Sequence, residues 1–375
     1  MKTLPNPVRK VNAHVLGLDV HKRIIVWVLM DRQGRVRANG KITAEHEELE
    51  KLVREHVGRK KAHAAFEASG CSMWVFDLLC KLLKGSECVH VAHARSIRAI
   101  ANSQHKNDHN DAWWLAYLAY EGRLPEVYVP TGRVRELRLA TRERQALVHE
   151  RTRTMKRIRA HLRQAGKGRT LRAGSIRTVK SREALLQFAE EMGGGREIAV
   201  KQALEHIDAL NLQVAGWEER MEELSAELPA VQALKACIPG VGPVLSATIV
   251  AETGPIERFH SPKALARYAG LTPSERSSGG QQRNGGITKE GSAQLRWALV
   301  QAVMGARRCR KGPGLYLTHW VNLKRERLGG KKMALVAGAR KVAEAIWRLF
   351  HLGECFSFRK PFGPLPAEML AGGKV

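Results

Sequence analysis

No run of apolar residues in this chain is longer than a strand. The longest, Ile24 to Met30, falls far short of the roughly 20 residues that a membrane-spanning helix requires, so a membrane is not an expected partner. The N-terminal MKTLPNPVRK has no apolar stretch before Pro5 and Pro7, and no signal peptide is expected. Cysteine is scarce: six residues, at 71, 80, 88, 237, 309 and 355, form no C-x-x-C pair and stand near no histidines at zinc spacing. Neither a zinc site nor a disulfide framework is expected, only thiols in a reducing cytoplasm. Acidic residues are outnumbered, 36 against 63 Lys and Arg, which leaves a formal charge of +27. Such an excess repels itself in a compact state, and a polyanion would relieve it. Nucleic acid is the first candidate, because neutralised phosphates release their counterions.

What is present is enough to fold. The 375 residues are 44% hydrophobic, which predicts packed cores in two or three domains. In residues 1–130, Val15 to Val20, Ile24 to Asp31 and Val36 to Ile42 read as three hairpin strands, with a turn at Gln33-Gly34. Thr43 is expected to cap an amphipathic helix through Glu47, Leu49, Leu52 and Val53. Strands at Ala62 to Glu67 and Cys88 to Ala92 then alternate with helices at Trp74 to Leu83 and Asp108 to Tyr120, before a strand-like Val127 to Val129. This order predicts an α/β domain with a sheet of mixed direction.

Residues 131–180 hold 16 Lys and Arg against 3 Glu in a helical pattern, with a glycine loop (166, 168, 174) after it. Such a run is either a solvated face or a nucleic-acid contact, with Arg153, Arg157 and Arg163 as candidates. From 200 to 228, Val200, Leu204, Ile207, Leu210, Val214, Trp217, Met221, Leu224 and Leu228 step by three and four, a coiled-coil seam. The two segments predict a helical hairpin in 131–230 that pairs within the chain or between chains. A mainly α-helical domain is expected over 231–352, with long helices at Ser292 to Arg308 and Lys332 to Phe350, and a loosely ordered tail over 353–375.

Four carboxylates fall at matching points of this order. Asp19 ends the first strand, Glu67 the fourth, and Asp108 and Asp111 share one side of a helix's first turn. Converging carboxylates repel unless cations neutralise them, and oxygen-only ligands favour Mg2+ or Mn2+ over zinc. Two such ions stabilise attacking and leaving oxygens in phosphoryl transfer. Further on, Ile238-Pro-Gly-Val-Gly-Pro-Val244 reads as a helix-hairpin-helix, whose Gly240 and Gly242 let backbone amides approach a phosphate, or as an ordinary glycine turn between helices. Tyr268-Ala-Gly-Leu-Thr-Pro273, Ser277-Ser-Gly-Gly280, Gly286-Ile-Thr-Lys-Glu-Gly291 and Gln294-Leu-Arg296 follow, placing serines among glycines and the cations Lys289 and Arg296.

Together these motifs resemble the insertion sequence 110 family of DEDD transposases, also called bridge-RNA-guided recombinases. The likeness runs from Val15 to Phe350 and rests on Gly17-Leu-Asp-Val-His-Lys22, Phe66-Glu-Ala-Ser69, Lys106-Asn-Asp-His-Asn-Asp-Ala112, Pro239-Gly-Val-Gly242, Ala269-Gly-Leu-Thr-Pro273, Ser278-Gly and Ile287-Thr-Lys-Glu-Gly291. Asn107 departs from the family's Lys-Thr-Asp. The resemblance implies a RuvC-like, RNase H-like domain binding metal through Asp19, Glu67, Asp108 and Asp111. It implies a second domain whose serine joins covalently to DNA, Ser278 by motif position and Ser277 as the alternative. Double-stranded donor and target DNA, a structured noncoding RNA and a homo-oligomer, dimer or tetramer, are the implied partners, in a prokaryotic cytoplasm at the nucleoid. A junction nuclease of the Holliday type, hydrolysing with water, would need the carboxylates and no serine. A non-catalytic nucleic-acid-binding protein would need neither.

Overall fold

The structure is a computed structural model that describes residues 10–94, 96–97, 108–166, 178–278, 281–309 and 312–355, with the backbone alone for 275–278 and 281–284. Its two compact units are Met1–Val129 and Pro130–Val375.

The first unit is built on a five-stranded sheet. β1 (His14–Val20), β2 (Ile24–Met30), β3 (Val36–Thr43), β4 (Ala62–Glu67) and β5 (Val89–Ala92) lie in the order β3-β2-β1-β4-β5. β1 pairs antiparallel with β2 and parallel with β4, so it is central and the sheet is mixed. The β2–β3 turn is organised by Asp31, whose carboxylate accepts from the backbone N–H groups of Gln33 and Arg35 at 2.8 and 2.9 Å and from Arg37 Nε at 2.7 Å. Those bonds hold its carboxyl below the usual range.

Alternation along β1 splits the unit into three layers. Leu16, Leu18 and Val20 face a core roofed by α1 (His46–Leu52) and α2 (Met73–Leu82). Val15, with Val26, Val28 and Ala65, faces the other core, closed by Ala112, Leu115, Ala116 and Ala119 of α3 (Asp108–Tyr120). Gly17 sits on that second face directly under α3. A Cβ there would lie 2.2 Å from the Ala112 carbonyl oxygen and 2.7 Å from the Ala116 nitrogen. The helix therefore rests on the strand backbone, backbone to backbone. This mixed sheet flanked by helices is compatible with an RNase H-like domain.

Two local expectations differ. Thr43 ends β3, and the residue capping α1 is Glu45, which makes no side-chain cap bond. Val127 to Val129 forms no strand; between Pro125 and Pro130 the chain only touches β5, through an Ala92–Glu126 bridge and a 2.8 Å bond from Val127 N–H to Val91.

The second unit opens with two 33-residue helices, α4 (Gly132–Gln164) and, after α5 (Val179–Met192), α6 (Gly194–Ala226). Leu137 packs near Met221 and Leu224 at one end, and Ile158 and Leu162 near Val200 and Leu204 at the other, so α4 and α6 run antiparallel. The seam residues Val200, Leu204, Ile207, Leu210, Val214, Met221 and Leu224 are buried inside the chain. Trp217 is half-buried, and Leu228 lies beyond the helix as the cap of α7. α5 was not legible in the sequence; of the glycine loop before it, only Gly166 lies among the described residues.

The remainder is mainly helical: α7 (Pro229–Cys237), α8 (Pro243–Thr253), α9 (Pro262–Tyr268), α10 (Ala293–Ala306), α11 (Gly312–Leu328) and α12 (Lys331–Leu352) enclose one core. A β-hairpin, β6 (Pro273–Ser278) and β7 (Gln281–Ile287), stands within the segment expected to be mainly helical. Gly353, with φ +68°, ends α12, and the tail from 356 onward lies outside the described residues. One expectation is corrected. Cys237 and Cys355 form a disulfide, their α-carbons 4.9 Å apart. They are 118 residues apart in sequence, a separation that carries no local signal.

Replacing Gly17 by Ala should lower unfolding free energy by about 1–3 kcal/mol, the usual cost of overpacking a close contact, and Gly17→Val by more. Urea denaturation checks this; unchanged midpoints would mean that α3 does not bear on β1.

Candidate metal centre and nucleic-acid interface

The close approach at Gly17 fixes where the head of α3 lies. Going along β1 from Gly17 to Asp19 and back along α3 from Ala112 to Asp108 reaches the same corner of the sheet. There one donor atom each from Asp19, His21 and Asp108 lie within 4.8 Å of one another. His21 Nε2 is 3.0 Å from Asp19 Oδ2 and 3.8 Å from Asp108 Oδ2. Asp19 is the most enclosed of the three, its side chain 16% exposed against 46% for His21 and 48% for Asp108. Burial pushes its carboxyl above the usual range; Asp111 and Asp108 add to the rise, while His21 opposes it.

Of the four predicted carboxylates, Asp19 and Asp108 thus meet directly, and Asp111 is near enough to act on Asp19. Glu67 is not part of the three-donor group. It ends β4 one residue beyond Phe66, which is in register with Leu18, so it flanks Asp19 across the strand pair. Sequence reasoning missed His21. The signal available was only its place in sequence, two residues beyond Asp19 and one past the end of β1. The donor set is therefore not oxygen-only. An enclosed carboxylate facing two others is a site that a cation would stabilise, and oxygen donors with one imidazole suit a divalent ion. This is the only such group among the described residues.

In the second unit the basic segment divides in two. Arg142 donates to both oxygens of Glu252 at 2.8 and 3.1 Å, and Ser292 Oγ donates to the same carboxylate at 2.9 Å. Glu252 is buried, its side chain 1% exposed, so this ion pair ties α4, α8 and α10 together. Arg138 donates to the Ala251 carbonyl, Arg144 to Glu218 and Arg151 to Asn211. These arginines hold the fold. Arg153, Arg157 and Arg163 are exposed and make no side-chain bond among the described residues.

The predicted glycines also divide. Gly240, at φ +79°, lies against α10, where a Cβ would fall 2.2 Å from the Ala302 carbonyl oxygen. Its first requirement is packing. Gly242 caps α8 with nothing within 4 Å of where a Cβ would sit, and borders an open groove of about 370 Å³ with Lys235, Pro239 and Pro313. Arg296, predicted near the serines, donates to the Ala269 carbonyl at 2.9 Å and braces the 268–272 turn against the 288–291 loop. Lys289 is exposed and holds a left-handed φ of +55°. The backbone of Ser277 pairs with Gln282 and that of Ser278 with Gln281; their side chains, and residues 279–280, lie outside the described set.

Comparison with known proteins decides the family. The DEDD transposase domain of the IS110 type matches residues 16–166, and the domain described as "Transposase IS116/IS110/IS902 family" matches residues 233–316. The chain belongs to the IS116/IS110/IS902 transposase family. It is similar to protein y4qE of Sinorhizobium fredii, 29% identical over 76% of this chain and 70% of that protein. It is also 29% identical to the transposase for insertion sequence element IS1111A of Coxiella burnetii, over 67% of this chain and 68% of that one. The 44.8 kDa protein of insertion element IS116 from Streptomyces clavuligerus matches at 22% identity over 92% and 96% of the two chains. The transposase is thus a DNA-acting enzyme, and its DEDD domain implies a divalent-metal carboxylate site, for which the Asp19 corner has the donors. No helix among the described residues is long and apolar enough to cross a membrane.

Two outcomes are expected. Millimolar Mn2+ or Mg2+ should raise the Tm, as any ligand of the folded state does. Asp19→Asn should abolish that rise while stabilising the metal-free transposase, because it removes an enclosed charge set against Asp108 and Asp111; a retained rise would place the ion elsewhere. Reversing Arg153, Arg157 and Arg163 to Glu should flatten the slope of log affinity for DNA against log salt by about 0.9 per lost phosphate contact, with Tm little changed. An unchanged slope would make this face merely solvated.

Proposed function

We propose that the transposase breaks and rejoins DNA by a serine-linked route, using Asp19, Glu67, Asp108 and Asp111 as the metal-binding carboxylates and Ser278 as the nucleophile. The observation that carries the reading is the meeting of Asp19, His21 and Asp108 at the end of the central strand, with Asp111 beside them. Mg2+ or Mn2+ held there would neutralise the carboxylates and stabilise the attacking and leaving oxygens of a phosphoryl transfer. Asp19 and Asp108 orient toward one point because Gly17 lets α3 settle on β1. His21 steadies Asp19 by its 3.0 Å contact.

In the covalent step one P–O ester bond of the strand is exchanged for a P–O bond to Ser278 Oγ. The serine proton passes to a base, and the departing strand oxygen takes one up. The bond energy of the phosphodiester is kept for rejoining, which hydrolysis would lose. Ser278 ends a β-strand beside two glycines, a place where a DNA backbone meets little side-chain bulk. Lys289 supplies a nearby cation in sequence and stands exposed. Arg296, by contrast, serves the reaction only by bracing the loop that carries Lys289.

DNA is held by the exposed arginines of α4 and, at the α7–α8 turn, by Lys235 and the amides beside Gly242, a contact to phosphate without base preference. A structured noncoding RNA pairing with donor and target DNA supplies the sequence choice; it would use the same cationic surfaces. Assembly into a dimer or tetramer uses surfaces other than the Val200–Leu224 seam, which the chain's own hairpin consumes.

Trapping the reaction and denaturing it tests the route. Wild type should retain DNA on protein, Ser278→Ala should lose that adduct, and Ser277→Ala should keep it. Asp108→Asn should abolish strand breakage while leaving DNA binding within about twofold. Adduct lost only in Ser277→Ala moves the nucleophile by one residue; no adduct in any form, with cleavage intact, leaves a hydrolytic junction nuclease.

A further inference from the structure

A helix that packs on a sheet through one side normally turns polar residues outward. α3 does not. After Asp108 and Asp111 it carries Trp113, Trp114 and Tyr117, all half-buried. Trp113 and Tyr117, four residues apart, stack nearly parallel, at 8° with centroids 4.9 Å apart, and both pack on the core beneath the helix. Trp114 meets Trp113 edge to face at 5.1 Å and Tyr117 at 6.0 Å. It belongs to none of the apolar clusters among the described residues. The core therefore does not account for Trp114, whose ring is held in place by two others and left partly open to solvent.

Its position matters. Trp114 follows Asp111 by three residues, so it lies on the same side of α3, about 4.5 Å further along the axis. The acidic corner is thus one helical turn away. Next to His21 at that corner, the turn carries Lys22 and Arg23, both exposed. Cations for phosphates next to His21 and a half-exposed aromatic ring one helical turn from Asp111 match the two chemistries of a nucleotide. Any base has a π-face, so stacking on such a ring holds it without regard to sequence. The chain's charge of +27 favours a polyanion over a second protein as the occupant.

We propose that Trp114, steadied by Trp113 and Tyr117, stacks on an unpaired nucleobase adjacent to the phosphate held at the Asp19–Asp108–Asp111 corner. The proposal rests on the metal-site reading only for which nucleotide is held; the stacking contact itself stands apart from catalysis. A base held there would be one already unpaired or drawn out of its duplex, which places a strand-separated nucleotide next to the site of cutting. An unpaired base is the shared chemistry of a DNA strand and an RNA strand, and either fits the ring.

Fluorescence anisotropy on the full chain tests this, with Ca2+ replacing Mg2+ so that no strand is cut. The probes are labelled oligo(dT), oligo(rU) and an abasic strand with the same number of phosphates. Wild type should bind at least one base-bearing strand about 5- to 150-fold more tightly than the abasic strand, the range for one stacked base. Trp114→Ala should erase that preference with the salt slope unchanged, and Trp114→Phe should restore most of it. Preference for oligo(dT) assigns the base to DNA, and preference for oligo(rU) to RNA; both support the contact. Indifference of the wild type to missing bases overturns the proposal. So does a Trp114→Ala variant that weakens all three strands alike, or one that changes oligomer size in light scattering, which would make the ring a protein interface. Asp108→Asn separates the two ideas: it should end strand breakage and leave the base preference intact.

Discussion

Everything at the candidate metal centre depends on one contact between main chains. Helices usually stand off a sheet by the thickness of two side-chain layers, but at Gly17 one layer is missing, and the α3 backbone comes within 2.2 Å of where a Cβ would sit. Ala112 and Ala116 on the helix, and Ala65 beside Gly17 on β4, keep the neighbouring positions small. Because the helix bears on the strand backbone rather than on flexible side chains, its head has little freedom to slide. Asp108 and Asp111 inherit that precision, and Asp19, two residues along β1, is met at hydrogen-bonding range by His21 and approached by Asp108. The cost of the arrangement is electrostatic: an enclosed carboxyl raised by burial and by its acidic neighbours.

The second unit solves a similar problem twice. Gly240 lets the α7–α8 turn press on α10 through the backbone at Ala302 and Ala306, and the buried Glu252 gathers α4, α8 and α10 around one carboxylate. Removing one partner from a buried pair is far more damaging than replacing the whole pair, so Arg142, Ser292 and Glu252 act as a unit. This explains why a segment with such an excess of arginine folds at all. Part of the charge is spent on internal carboxylates and carbonyls, and only the remainder faces solvent.

Short apolar runs bounded by turn residues made β1, β2 and β4 legible, and these runs are largely buried; β3 shows alternating exposure, and the run from Asp108 to Tyr120 reads as a helix. That Asp19, Asp108 and Asp111 come together was legible because strand ends and helix starts converge in this order of elements. What stayed hidden depends on distant partners. The 273–287 hairpin has few apolar residues, and its pairing comes from the chain folding back on itself. α5 follows glycines and is stabilised by Leu185 and Ala189 against the α4–α6 pair. The partner of Arg142 lies 110 residues away, and the Cys237–Cys355 link spans a comparable distance. Gly240 carried a correct signal of backbone closeness, but its neighbour is a helix of the same chain. Arg296 likewise reads as a free cation until its carbonyl partner is seen.

The α4–α6 hairpin sets a length. A helix of 33 residues is about 50 Å long at 1.5 Å per residue, and its partner α6 has the same length. Along such a rod, Arg153 and Arg163 are separated by about 15 Å, the distance covered by roughly four to five phosphates of one DNA strand at 3.4 Å each. If these arginines hold a strand as proposed, the hairpin sets the spacing of their contacts, and lengthening it by one turn between them would shift that spacing by between one and two nucleotides.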